Sequence, residues 1–270
     1  MRQAFVIAPR CFLMAAPTLK CEPLDELLLG WQVDILETFP HFWYRVRTDY
    51  GYEGFLPARV LCLQPDWVEV FSALPKAVVT AAFGSVLAAP KVQSWAVAEL
   101  LRGALVAPLS APDERGWLQI ALPGGKEGYI SYKLLKPYCE LPPVDETLLR
   151  RDVTQTALSY LGAPYRWGGK SPLGIDCSGL SFMAYCLNGI TIFRDARIEP
   201  GFPVREIPRE QAKPGDLLYF PGHVALYLRE DTYVHSTARG GGVMVNSLDP
   251  DSPGYRADLA QSLIAVGSIF

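Results

Sequence analysis

The feature that most constrains this fold is a long internal repeat in the first half of the chain. Two segments recur 73 residues later and two more recur 74 residues later, which places a single-residue slip in a loop. The matched pairs are 15–17 with 88–90, 25–30 with 98–103, 43–46 with 117–120, and 52–56 with 126–130. A unit of about 65 residues that occurs only twice is a duplicated small domain rather than a solenoid. We therefore predict two copies, at residues 1–65 and 66–139.

Each copy has the pattern of short β-strands. In the first copy, residues 33–39, 43–48 and 54–60 are rich in β-branched and aromatic side chains and are bounded by Gly, Pro and Asp. This is typical of strands and turns. About five such strands without a helical period predict a small, partly open all-β barrel. The order LLxG, V, WxxV and EG-aromatic-aliphatic resembles bacterial SH3-like domains, which commonly accompany cell-wall enzymes.

A different domain is predicted at residues 140–270. Paired prolines in 140–143 cannot continue a strand ladder, so this stretch is predicted to be a linker. The next segment has apolar side chains at the spacing of an amphipathic helix. Gly162 predicts the end of that helix. The apolar positions are Leu149, Val153, Ala157, Tyr160 and Leu161.

Composition and charge exclude several classes of protein. Half of the 270 residues are apolar, 20% are charged and the net charge is −3, which fits a globular chain without a nucleic-acid or anionic-membrane partner. No apolar run reaches the roughly 20 residues needed to span a membrane. No obligate protein partner is indicated. The first residues carry no secretion signal as written, so we expect a cytoplasmic protein, or a secreted one if a leader has been removed.

The six cysteines do not form a disulfide or zinc pattern. They show neither a CxxC pair nor zinc-ligand spacing, which in a chain of this size favours free thiols in a reducing compartment. We predict no metal and no other cofactor. The cysteines are Cys11, Cys21, Cys62, Cys139, Cys177 and Cys186.

Cys177 lies between a Gly/Pro-rich stretch and a helical pattern at residues 178–188. Asp176 is a suitable helix cap, which makes Cys177 the first residue of the helix. The N–H groups and the dipole at a helix N-terminus favour an anion, so we expect a lowered thiol pKa. The same N–H groups can stabilise an oxyanion during acyl transfer.

Two of the three histidines supply a candidate base for this thiol. His223 opens one predicted strand and His235 lies in the next. If Ala225 lies opposite His235, then His223 is a diagonal neighbour on the same face, about 7–8 Å away at Cα. This register allows a Cys177–His223–His235 group. Each residue alone is more often a packing residue, and a metal site formed by the three has no clear fourth ligand.

The surrounding sequence resembles the NlpC-type cysteine peptidase family over residues 145–270. The pattern YRWGGxSPxGxDCSGL is followed by GDxxxF, HVALYL and YVHS. The resemblance implies an α+β chain, in which a papain-like cysteine peptidase domain is preceded by two small all-β SH3-like barrels. It implies that Cys177 is the nucleophile, His223 the base and His235 the orienting residue. Tyr165 is implied to offer its hydroxyl near the oxyanion.

The tandem barrels resemble those of the γ-D-glutamyl-L-diamino acid endopeptidases, a subgroup of this family. The resemblance implies that Asp195, in an Arg-Asp motif, contacts the free amine of the substrate. Ala196 follows where relatives often have a hydroxyl residue. Residues implied to shape the pocket are Asp176, Ser178 and Trp167. Candidates for a cleft wall on the first barrel, which also fit ordinary surface or turn positions, are Glu26, Tyr50 and Tyr52.

The implied activity is hydrolysis of the γ-D-glutamyl–diamino acid bond in peptidoglycan-derived peptides with a free N-terminal L-alanine, in cell-wall recycling. The diamino acid, meso-diaminopimelate or lysine, stays open. One alternative is an intact-wall hydrolase or amidase that uses the same Cys–His pair. Another is a wall-binding module with a weakly active third domain.

Overall fold

The computed structural model describes residues 2–138 and 145–270, which form two compact units, one in each range. The predicted linker at 140–143 and the predicted boundary between 139 and 140 lie outside the described residues. Within the two described ranges, no helix is both long enough and apolar enough to cross a membrane.

The first unit consists almost entirely of short strands. They are β1 Arg2–Val6, β2 Arg10–Met14, β3 Pro23–Leu28, β4 Gln32–Phe39, β5 Trp43–Thr48, β6 Glu53–Pro57, β7 Leu61–Cys62, β8 Ala77–Val79, β9 Phe83–Leu87, β10 Ala96–Leu101, β11 Leu105–Pro108, β12 Trp117–Ala121, β13 Glu127–Ser131 and β14 Leu135–Pro137. One α-helix, α1, spans Pro65–Ala73.

The two sheets of this unit have the same topology. The first has the strand order β3-β2-β6-β5-β4-β1-β7, and the second has β10-β9-β13-β12-β11-β8-β14. Every strand number in the second sheet is that of its counterpart plus seven, so the sequence repeat is a structural duplication. Each sheet has seven strands rather than the predicted five, because strands of two or three residues are too short to show an alternating pattern.

Helix α1 corrects the prediction that the repeated half contains no helix. It begins at the predicted boundary between residues 65 and 66 and separates the two sheets. Pro65 lies in its first turn, where a missing N–H is tolerated. Phe71 is its one buried residue, and the Phe71 ring lies 4.9 Å from that of Phe5. With one buried side chain, the segment has too little apolar periodicity to predict a helix.

The two barrels meet through a short segment that follows β3. Trp31 is buried, and its Nε1 donates to the carbonyl oxygen of Gly103 at 2.8 Å. The N–H of Leu105 donates to the carbonyl oxygen of Leu29 at 2.8 Å. Gly30 has φ +84°, and a Cβ there would lie 2.1 Å from the carbonyl oxygen of Leu105. Only glycine fits this position, because any side chain would collide with backbone and adopt a strained φ.

The second unit combines helices with one main sheet. Its elements are α2 Glu146–Leu158, β15 Lys170–Ser171, β16 Gly174–Ile175, α3 Cys177–Cys186, β17 Arg205–Ile207, β18 Leu217–Phe220, β19 His223–Arg229, β20 Thr232–Thr237, β21 Gly242–Ser247, α4 Ala257–Ala260 and β22 Ala265–Ser268. The main sheet has the order β17-β22-β18-β19-β20-β21. Helix α3 lies against β19, β20 and α2, which places its N-terminus beside the sheet.

Helix α2 confirms the helix predicted after the linker. The carboxylate of Asp145 caps it by accepting from the N–H groups of Thr147 and Leu148. The helix ends at Leu158, before the predicted stop at Gly162, which lies in the following turn with φ +81°. The prediction that Leu161 belongs to the apolar face is wrong, because the helix has ended and this side chain is exposed.

Candidate active site

Cys177 is the first residue of α3, and Asp176 is its cap. Asp176 Oδ1 accepts from the N–H of Gly179 at 2.6 Å, which is the capping bond predicted from the sequence. Asp176 Oδ2 accepts from the N–H of Gly168 at 2.8 Å. One carboxylate therefore fixes both the start of the helix and the glycine loop that precedes it.

Arg194 holds that carboxylate in place. Its Nη1 and Nη2 donate to Oδ1 and Oδ2 of Asp176, each at 3.0 Å, and both side chains are buried. Nη1 also donates to Ser178 Oγ at 2.8 Å. Such a two-point contact is the strong geometry for an Arg–carboxylate pair. Two predicted pocket residues, Asp176 and Ser178, are thus bound to an arginine that the sequence reasoning did not single out, although it belongs to the Arg-Asp motif.

The thiol of Cys177 is buried, and its pKa is raised. Burial is the largest cause, followed by the charge of Asp176. Backbone hydrogen bonds from Val224 and Ser178 and the charge of Arg194 act in the opposite direction. The expected lowering of the thiol pKa is therefore wrong for the resting protein, because desolvation of the thiolate outweighs the helix terminus. The bond from Val224 places the sulfur beside the backbone that follows His223.

His223 and His235 form a direct pair across β19 and β20. Their Nε2 and Nδ1 atoms are 2.7 Å apart, and His235 is completely buried. The strand register pairs Leu226 with Val234, and one step further along places Ala225 opposite His235. The register assumed from the sequence is therefore the register of this hairpin.

Both histidines are neutral at pH 7. Burial, with a smaller contribution from the neighbouring His235, lowers the pKa of His223 to about 4. Burial also lowers the pKa of His235 to about 4, against a raising contribution from its hydrogen bond to Asn246. A neutral imidazole retains a lone pair, which a general base requires.

Asn246 extends this pair and was missed by the sequence reasoning. Its Oδ1 lies 2.9 Å from Nε2 of His235, and it comes from β21, the strand that follows. A polar residue on a strand near the chain end carries no local signal of such a contact. Only the pairing of β20 with β21 brings it to the histidines.

Tyr165 lies close enough to the nucleophile to sense its charge. Burial, with smaller contributions from the charges of Cys177 and Asp176, raises the pKa of Tyr165 to about 12. Its hydroxyl therefore stays protonated at neutral pH and can donate a hydrogen bond. The predicted pocket residue Trp167 is exposed and precedes the glycine loop.

The remaining predicted site residues have the following positions. Asp195 is half-buried beside Arg194. In the first unit, Glu26 is buried and accepts from Nη1 of Arg10 at 3.0 Å. Tyr50 is buried, and its hydroxyl donates to the neighbouring buried carboxylate of Asp25 at 2.5 Å. Tyr52 is half-buried, and its N–H donates to Thr48 Oγ1 at 2.9 Å.

Within residues 2–138 and 145–270, no group of three or more His, Cys, Asp or Glu side chains is arranged to hold a metal ion. Five cysteines in these ranges are free thiols: Cys11, Cys21, Cys62, Cys177 and Cys186.

A thiol at a helix N-terminus beside a histidine pair on an antiparallel sheet is the arrangement of a papain-like peptidase domain. Residues 162–260 match the NlpC/P60 family. The chain is 44% identical over 269 residues to Dipeptidyl-peptidase 6 of Lysinibacillus sphaericus, covering 99% of each chain. It is 25% identical over 254 residues to the γ-D-glutamyl-L-lysine dipeptidyl-peptidase of Bacillus cereus, covering 87% of this chain and 73% of that one. The chain belongs to the NlpC/P60 family, and it is a peptidase of that family.

A solved structure agrees with this fold over the whole length. The crystal structure of an NlpC/P60 family protein from Bacillus cereus matches with a TM-score of 0.79 and covers 98% of both chains, at 21% sequence identity. The predicted family and the predicted fold class are confirmed: two SH3-like barrels precede a papain-like α+β domain.

Proposed function

We propose that the protein is a cysteine endopeptidase that hydrolyses the γ-D-glutamyl–diamino acid bond of peptidoglycan-derived peptides. The substrates are peptides with a free N-terminal L-alanine, of the kind released in cell-wall recycling. The observation that carries the proposal is the buried Cys177 thiol at the start of α3, bonded to the backbone of Val224, which follows His223 in its pair with His235.

The relatives support the choice of bond. One is named a dipeptidyl-peptidase and matches this chain from end to end. Another is named a γ-D-glutamyl-L-lysine dipeptidyl-peptidase, and this chain covers 73% of it. A dipeptidyl-peptidase releases two residues from a free N-terminus, which agrees with a substrate that begins L-Ala-γ-D-Glu.

The proposed reaction starts from a neutral thiol and a neutral imidazole. His223 accepts the thiol proton as Cys177 Sγ attacks the γ-carbonyl carbon of D-glutamate. N–H groups at the start of α3 and the protonated hydroxyl of Tyr165 stabilise the oxyanion. The carbon–nitrogen bond then breaks as His223 returns the proton to the leaving amine. Water attacks the thioester carbon as His223 accepts one of its protons, the carbon–sulfur bond breaks, and His223 returns that proton to the Cys177 sulfur.

Selection of the free N-terminus is assigned to a carboxylate. The substrate ammonium would pair with Asp195, because an ammonium and a carboxylate form a charge-assisted hydrogen bond. Trp167 is proposed as a further substrate contact. This pairing favours trimmed peptides over intact wall, in which the L-alanine nitrogen is acylated.

The test is mass spectrometry of products from L-Ala-γ-D-Glu-L-Lys and from its meso-diaminopimelate counterpart. Each peptide is used with a free and with an acetylated N-terminus. We expect free diamino acid and L-Ala-D-Glu from the unblocked peptides, and little product from the acetylated ones. The relative rates for the two peptides identify the preferred diamino acid.

Two variants test the nucleophile. Cys177→Ala should abolish cleavage, whereas Cys186→Ala, nine residues further along the same helix, should retain it. Full activity of Cys177→Ala would overturn the assignment. Equal cleavage of acetylated peptides or of intact wall would favour the wall hydrolase or amidase. Tight binding to sacculi without cleavage of any peptide would favour the wall-binding module.

A further inference from the structure

Asn246 lies where it can control the histidine pair. In the register of β20 and β21, His235 is opposite Met244, and Asn246 is opposite Tyr233. Asn246 is therefore a diagonal neighbour of His235 on the same face of the sheet. Its side chain is half-buried, and its Oδ1 lies 2.9 Å from Nε2 of His235.

The orientation of the Asn246 amide is determined by a backbone carbonyl. Its Nδ2 donates to the carbonyl oxygen of Gly254 at 3.0 Å. That same oxygen accepts from the N–H of Ser247 at 2.9 Å. A carbonyl oxygen can only accept, so the NH₂ group must face Gly254 and the amide oxygen must face His235.

This orientation decides where the protons of both imidazoles lie. An amide oxygen only accepts, so Nε2 of His235 carries a hydrogen and Nδ1 of the neutral ring carries a lone pair. That lone pair, 2.7 Å away, accepts from Nε2–H of His223. Neutral His223 is then left with its lone pair on Nδ1. The chain Gly254–Asn246–His235–His223 thus leaves a single nitrogen able to accept the thiol proton.

The other charged and titratable groups facing the pair include Tyr233 on β20, whose ring lies 5.0 Å from that of His235, and groups on neighbouring elements. Arg256, in the loop before α4, lowers the pKa of both histidines, and Asp258 on α4 raises it. Arg256 and Asp258 are joined by two hydrogen bonds of 2.8 and 2.7 Å. Because these opposite charges lie side by side, their effects on the pKa of the two histidines largely oppose each other. Cys177, on α3, is bonded to the backbone of Val224, which follows His223. Asn246 is neutral and hydrogen-bonds His235 from β21.

We propose that Asn246 is a positioning residue that fixes the tautomers of His235 and His223, so that Nδ1 of His223 is the base for Cys177. The inference rests on the proposed function of His223. It adds that the pair needs an acceptor of fixed orientation at its far end. Loss of the acceptor allows His235 to hold its hydrogen on Nδ1, which forces His223 to place its own hydrogen toward the thiol.

The test uses Asn246→Ala, which removes the acceptor, and Asn246→Asp, which keeps it and adds charge. Two readouts are measured across pH 4–9: peptide hydrolysis, and alkylation of Cys177 by iodoacetamide located by mass spectrometry. For Asn246→Ala we expect kcat to fall about tenfold to hundredfold with little change in KM, and slower alkylation of Cys177. For Asn246→Asp we expect restored alkylation at pH 7 and an acid limb about one pH unit higher, because a carboxylate favours the protonated pair.

Val245→Ala is the matched control, because Val245 lies on the same strand and is exposed. It should leave both readouts unchanged. Equal losses in Asn246→Ala and Asn246→Asp, with an unshifted pH profile, would overturn the proposal and leave Asn246 a structural residue. If the wild type cleaves no γ-glutamyl peptide but alkylation responds as described, the proposed function fails and the role of Asn246 stands. If cleavage is present and Asn246→Ala is unaffected, only the role of Asn246 fails.

Discussion

Replacement of Arg194 by methionine tests whether the buried Arg194–Asp176 pair organises the start of α3. The change removes the hydrogen bonds of Arg194, which include two to Asp176 and one to Ser178. It leaves the Asp176 carboxylate buried without its cation. A carboxylate in that state is penalised because desolvation is no longer offset by the ion pair.

The expected loss of stability follows from the remaining contacts. Removing one partner of a buried pair costs about 3–5 kcal/mol. Asp176 keeps the N–H groups of Gly168 and Gly179, so we expect a loss near the lower end, about 3 kcal/mol. In the double variant Arg194→Met/Asp176→Asn the buried charge is gone. That variant should be more stable than Arg194→Met alone, by about 1–2 kcal/mol.

The assay is guanidinium denaturation, with hydrogen exchange of peptides from α3 as the probe of unfolding. A local probe is needed because two units can unfold separately, and one global transition would mix them. The control is Arg209→Met, which removes an exposed Arg–Asp pair of the same unit with an N–O distance of 3.4 Å. An exposed pair contributes at most about 1 kcal/mol.

Two results would refute this reasoning. One is a loss for Arg194→Met that equals the loss for Arg209→Met, since the pair would then behave as a solvated one. The other is a double variant less stable than Arg194→Met, since an unpaired buried carboxylate could not then be the source of the cost. Ser178→Ala, which removes the bond from Arg194 and the bond of 3.3 Å from Ser178 Oγ to Asp176 Oδ1 but keeps the ion pair, should cost about 1 kcal/mol.

The acid limb of kcat/KM should have an apparent pKa below the ordinary histidine value of about 6.5, because burial holds the pKa of neutral His223 near 4. A pH–rate profile with its acid limb at or above 6.5 would contradict this. In the first unit, Gly51→Ala should cost about 1 kcal/mol, since Gly51 has φ +84° and open space around it. Gly30→Ala should cost at least about 3 kcal/mol, because at the same φ its Cβ would meet the carbonyl oxygen of Leu105. Equal shifts in the denaturation midpoint of the two alanine variants would contradict the close contact.

The features that could be predicted from the sequence are those encoded locally. The repeat appears in both sheets because each copy carries its own strands and turns. Asp176 and Cys177 were placed at a helix start because a cap and a helical pattern are adjacent in the chain. The hairpin of His223 and His235 was predictable because its short loop limits the register to few choices.

The features that were missed depend on distant parts of the chain. Arg194 reaches Asp176 across 18 residues, and Asn246 reaches His235 across a strand pairing. No rule of spacing along the sequence predicts either contact. The pKa of Cys177 was expected to fall because the helix terminus is local, whereas the burial that raises it comes from the whole domain. Such contacts and pKa shifts depend on packing in the folded domain, and a linear sequence pattern contains no information on that packing.

The contact between the two barrels also limits how many copies can be joined. The tryptophan whose indole reaches Gly103 has its counterpart in the second copy at Ala104, which is also buried. A third copy placed after the second would find a methyl group where the first copy presents an indole donor. The same contact therefore forms between the first and second copies and cannot be repeated after the second copy. The two copies thus have different contact residues, and neither can take the position of the other.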